Sequence, residues 1–159
     1  MKKNNHKGFT LVELLVTLSI IGILAAISLP LYGSYRRGAT RSEASQNIQA
    51  MALCLEQYYS ETNFYNGANA AGTADSLPRT YNWQMNASGT VTTNDFLVWL
   101  PCFDPRKGSA GATNKYDYTL VVNATNFYAI TATPVRGVVT GDTPLIINSG
   151  GAKSGPWPD

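Results

Sequence analysis

The stretch KGFTLVELLVTLSIIGILAAISLPLY, Lys7–Tyr32, decides how the rest of the chain is read. Residues 14–35 carry no charged side chain, and as a helix such a run crosses roughly 30 Å of hydrocarbon. Near its start stands a carboxylate, Glu13. A lone carboxylate in an apolar setting must find a partner or neutralise itself. An ordinary secretory signal has a shorter apolar core, followed by small residues at a cleavage site. Here Ala25, Ala26 and Ser28 sit inside the apolar run, and more apolar residues follow them. The run is therefore read as retained.

The remaining composition is that of a folded protein of one ordinary domain: 159 residues, 44% apolar and 14% charged. The charge is uneven. Lys2, Lys3 and Lys7 lie in the first eight residues; without these eight, Lys+Arg falls from 12 to 9 against 10 Asp+Glu, and the formal charge goes from +2 to −1. The basic start places the N-terminus in the cytoplasm and the C-terminal part outside. Arg36, Arg37 and Arg41, just past the apolar run, weaken that asymmetry. The single histidine, His6, is also in the first eight residues. A chain trimmed of them has no imidazole, which excludes a Ser-His-Asp or Cys-His pair. No phosphate-binding glycine loop is present. The sequence is thus read as that of a non-enzyme with no catalytic residues, no metal and no cofactor. Asp95, Asp104, Asp117 and Asp142 match no compact calcium loop in their spacing.

Lys7-Gly8-Phe9-Thr10-Leu11-Val12-Glu13, the unbroken apolar run and Pro30 near its end resemble the N-terminus of a type IV pilin. This signal class is shared with the pseudopilins of type II secretion. The resemblance implies that a prepilin peptidase cuts between Gly8 and Phe9 on the cytoplasmic side and N-methylates the new Phe9 amine. Glu13 is then the fifth residue of the mature chain. It is expected to meet the Phe9 amine of a neighbouring subunit in the dry core of a filament, where the attraction is weakly screened. Desolvation offsets much of that gain, so the pair sets register more than it supplies affinity. A second reading is local: Thr10 and Glu13 form a capping box, and a glutamate suits the first turn of a helix. The two readings are compatible. For Gly22 and Pro30, relatives that this sequence resembles suggest a segment that melts when the filament extends; the alternative is a plain membrane-helix kink.

Beyond the apolar run, Ala44, Ile48, Met51, Ala52, Leu55, Tyr58 and Tyr59 recur at three- and four-residue spacing and form one amphipathic stripe. Leu53 falls outside it. A helix from Phe9 to about Glu61 is about 80 Å long. Residues 62–79 read as a loop. Strand-like runs follow at 80–86, 95–100, 116–122, 127–134 and 144–148. The fold class is α+β: a long N-terminal helix packed by its C-terminal half on an antiparallel sheet of about four strands. Four regions are expected: a cleaved leader 1–8, a transmembrane and filament-core helix 9–35, the amphipathic half 36–61 and a β-sheet head 62–159. Two cysteines in an exported protein suggest one bridge, Cys54 to Cys102, from helix to sheet; two buried free thiols are the alternative. FYAITATPVRG and NSGGAKSG resemble the tail of the pilin subfamily of many Gram-negative bacteria, but the cysteine usual there before the last strand is missing. The usual C-terminal disulfide loop therefore loses its support.

The resemblance implies a subunit that waits in the inner membrane with its head in the periplasm. It then enters an extracellular filament, alone or with other pilins, driven by inner-membrane assembly machinery. Adhesion, twitching motility and DNA uptake are family roles. The alternatives are a type II secretion pseudopilin, or a minor or tip subunit that binds DNA or a surface. Arg106 and Lys107, or Arg36, Arg37 and Arg41, are candidate phosphate contacts. The mature charge and the lack of a basic stripe with interleaved aromatics speak against DNA. The arginines after the apolar run are expected to meet carboxylates of neighbouring subunits or lipid headgroups.

Overall fold

The amphipathic stripe sets the core. In a computed structural model, which describes residues 8–67, 76–86, 88, 90–105 and 115–158, helix α1 spans Leu11–Thr62 and buries Ala44, Ser45, Ile48, Met51 and Leu55. Leu53, off the stripe, is 73% exposed. The chain forms two compact units, residues 1–36 and 37–159, and α1 contributes to both.

In the second unit the stripe shares one apolar cluster with an antiparallel sheet. Its strands are β1 Arg79–Met85, β2 Val91–Asn94, β3 Tyr116–Val122, β4 Tyr128–Pro134, β5 Leu145–Asn148 and β6 Lys153–Ser154, in the order β2-β1-β3-β4-β5-β6. Strict alternation explains how these strands build a core: β3 and β4 bury every second residue. The register aligns Tyr81, Leu120, Ile130 and Ile147 in one row across four strands, and all four are buried.

The sheet has six strands where about four were expected, and one expected strand is absent. DFLVWL, 95–100, is a series of turns. Leu100 N–H donates to the Phe96 carbonyl at 2.8 Å, and Phe96 N–H to Asn94 Oδ1 at 3.2 Å. Phe96, Trp99 and Leu100 are buried while Leu97 and Val98 are exposed. That is helical spacing, and a six-residue apolar run does not distinguish the two periods clearly. The strand in this region is the polar VTTN just before it, paired with β1. β6 is the other unexpected strand.

Polar contacts fix the connections. Asn63, at φ 61°, ends α1, with its N–H on the Tyr59 carbonyl at 2.8 Å. In the β3–β4 turn Asn126 is at φ 59° and its Oδ1 accepts from Tyr65 N–H at 3.1 Å. Of the expected loop 62–79, residues 63–67 and 76–78 are irregular, and 68–75 lie outside the described residues.

Covalent and polar ties join α1 to the rest of its unit, among them the following. Cys54 and Cys102 are disulfide-bonded, with Cα atoms 6.2 Å apart. Arg41 Nε and Nη2 both donate to Asp142 Oδ2, at 3.0 and 2.8 Å. Arg37 Nε donates to the Val138 carbonyl at 2.9 Å.

Candidate functional site

The candidate site is the start of α1. Thr10 and Glu13 form a reciprocal cap. Glu13 N–H donates to Thr10 Oγ1 at 3.2 Å, while Thr10 N–H and Thr10 Oγ1 donate to Glu13 Oε2 at 3.0 and 2.9 Å. This arrangement satisfies backbone donors that a helix start otherwise leaves open. Both bonds to the carboxylate fall on Oε2. Among the described residues, Oε1 has no hydrogen-bond partner.

Gly8 and Phe9 precede the helix in irregular, exposed chain, and Phe9 is 88% exposed. A side chain built on Gly8 would meet nothing within 4 Å. Residues 1–7, most of the expected leader, lie outside the described residues, as do Arg106 and Lys107.

From Leu11 onward the helix presents apolar side chains on every side. The large ones between Phe9 and Tyr35 are 48% to 88% exposed. The segment is long and apolar enough to cross a membrane. Its hydroxyls turn inward on the backbone: Thr17 Oγ1 donates to the Leu14 carbonyl at 2.9 Å and Ser19 Oγ to the Leu15 carbonyl at 2.8 Å. This hides polar groups from an apolar solvent. α1 continues through Gly22 and Pro30 without interruption. Pro30 has no N–H to give the Ala26 carbonyl.

The arginines behind this segment make contacts within their own chain. Arg41 and Arg37 are bonded within their own chain, as given above, and the Arg36 guanidinium lies 5.8 Å from the Tyr32 ring centre. Asp142 and Val138 stand 101 residues away in sequence from their partners, so the sequence alone does not report these bonds. The four aspartates are dispersed. Asp95 Oδ2 accepts from Asn82 N–H at 2.7 Å, Asp117 pairs with Arg136 at 2.6 Å, and Asp142 holds Arg41.

One position the sequence reading passed over is Gly67. Its N–H donates to Tyr81 Oη at 2.8 Å, and an added Cβ would stand 2.6 Å from the Trp99 indole. Only a glycine fits that approach.

The chain is similar to known proteins over this stretch and beyond it. The prokaryotic N-terminal methylation motif matches residues 3–29. Fimbrial protein EcpC of Eikenella corrodens is 34% identical over 114 residues, covering 71% of this chain and 74% of that protein. The type IV major pilin protein PilA of Myxococcus xanthus is 34% identical over 84 residues, 52% of this chain and 38% of its own length. The type IV major pilin protein PilE1 of Neisseria gonorrhoeae is 40% identical over 69 residues, 43% of this chain and 32% of its own. The chain thus spans well under half the length of the latter two relatives. No solved structure gives a significant match. With a capped, apolar, methylation-type N-terminal helix and a relative matched along most of both lengths, the chain belongs to the type IV pilin family.

Proposed function

We propose that this chain is a structural subunit of a type IV pilus and not an enzyme. The observation that carries the reading is the apolar surface of α1 between Leu11 and Tyr35, which no described residue of its own unit covers. Lipid covers it first, and the helices of other copies or other pilins cover it in the filament. Lipid tails are as apolar as these side chains, so the exchange has little hydrophobic driving force of its own. Polar contacts must then set register, and assembly machinery in the inner membrane must supply work.

A prepilin peptidase cuts between Gly8 and Phe9 and methylates the new Phe9 amine. The leader 1–8 stays in the cytoplasm. Residues 9–35 hold the subunit in the inner membrane, and the rest of the chain lies in the periplasm until it joins an extracellular filament. Phe9 and Glu13 form the assembly contact. The capping geometry supports this, because it engages only Oε2 and leaves Oε1 for the amine of a neighbour. Gly22 and Pro30 bound a segment that unwinds in the filament.

Glu13→Val tests the pairing. Cleavage at Gly8 is expected to continue, while filament yield falls to a small fraction of wild type. Normal filaments from this variant would show that Glu13 serves as a cap only.

A further inference from the structure

The outer face of the sheet carries a groove with no role in this account. Across β3, β4 and β5 the register sets Val121, Ala129 and Asn148 side by side. Phe127, two residues before Ala129, stands on the same face. Ala129 is small, so it makes a floor between the taller Val121 and Phe127. The result is an open groove of about 460 Å³ lined chiefly by Val121, Asn123, Phe127, Ala129, Asn148 and Ser149. The Phe127 ring is 60% exposed. Among the described residues, no charged side chain lines the groove.

Its two asparagines are held in one orientation. Asn123 Oδ1 accepts from Thr125 N–H at 3.0 Å, Thr125 Oγ1 at 2.9 Å and Phe127 N–H at 2.9 Å. Asn148 Oδ1 accepts from Gly150 N–H and Ala152 N–H, each at 3.0 Å. These donors exclude the flipped amides, since an NH2 group cannot accept them. Each Nδ2 is therefore fixed on the opposite edge of its amide and has no partner among the described residues. Two pre-oriented donors beside an exposed aromatic ring cost little ordering on binding.

We propose that this groove binds the ring of a neutral saccharide. The apolar face of a pyranose stacks on Phe127, and its hydroxyl oxygens accept from Asn123 Nδ2 and Asn148 Nδ2. The lining offers a charged ligand no counter-charge. An extended peptide has no strand edge to join there, because β4 is paired on both sides.

The test uses the full chain in detergent on an array of immobilised neutral oligosaccharides ending in galactose, glucose or N-acetylglucosamine. Saturable binding to at least one is expected. Phe127→Ala should weaken it about tenfold, or about 1.4 kcal/mol. Asn148→Asp should weaken it similarly with an unchanged melting temperature, because aspartate keeps the turn acceptor and replaces the donor with an anionic oxygen. No saturable binding, or wild-type binding by both variants, overturns the proposal. So does loss of filaments in Phe127→Ala without any saccharide binding, which would make the groove a contact between copies.

Discussion

Glu56 organises a group of tyrosines whose chemistry gives the head a pH limit. Tyr65 Oη donates to Glu56 Oε2 at 3.0 Å and Tyr128 Oη donates to Oε1 at 3.1 Å. The Tyr65 ring stacks on Tyr59 at 4.4 Å and meets the edge of Tyr128 at 4.8 Å. Burial, then the hydrogen bond to Glu56, pushes the Tyr65 phenol from 10.0 up to about 12, and the same causes push Tyr128 up. Each phenol holds its proton more tightly folded than unfolded. Their contribution to stability is complete below about pH 10, the ordinary tyrosine value, and is lost as pH rises through the folded values. Denaturation midpoints of the full chain in detergent, measured between pH 9 and 12, should fall steeply for wild type. The Tyr65→Phe/Tyr128→Phe double variant should show a shallower fall; equal slopes would remove these phenols as the cause. At this scale, legibility follows sequence distance. The Thr10–Glu13 cap spans three residues and is plain in the sequence. The bonds of Glu56 to Tyr128 and of Arg41 to Asp142 join residues 72 and 101 apart, and no pattern along a single sequence reports them.

At the scale of elements, α1 and four of the strands were legible because each repeats its period several times. β3 is the clearest case, running Tyr116–Val122 with every second residue buried. DFLVWL was misread because its few apolar residues suit either period, and β6 has two residues and no pattern at all. The Cys54–Cys102 bridge holds those turns against α1. Its loop has a sequence separation of 48 residues, for which chain entropy gives about 4 kcal/mol. Cys102→Ser should lower the stability of the head by roughly 2–5 kcal/mol in denaturant titration. A loss within error of zero would mean that packing of Phe96, Trp99 and Leu100 holds the segment unaided. Pro30 belongs to this scale as well. A proline inside a helix costs roughly 3 kcal/mol against alanine, and α1 tolerates it in the single chain. If the segment after Gly22 unwinds in the filament, Pro30→Ala should make filaments resist extension in single-filament pulling. Unchanged extensibility would place the unwinding elsewhere.

At the scale of the whole molecule, the chain has two units, one a helix whose large apolar side chains are exposed between Phe9 and Tyr35, the other a head with its own apolar core. That division follows from the sequence, where 22 uncharged residues, 14–35, are followed by a chain that alternates and turns. The periodicity of the sequence does not report what covers the helix, since a segment that is apolar on all sides carries no stripe to mark a contact face. The central claim is that residues 1–8 are removed, the apolar run stays on the protein and the product enters a filament. Mass spectrometry of filaments sheared from the cell surface tests it most directly. The account predicts a chain of residues 9–159 beginning at N-methylated Phe9. A chain in the filament beginning at Met1, a mature protein cut within or after the apolar run, or filaments that lack this chain altogether would contradict it.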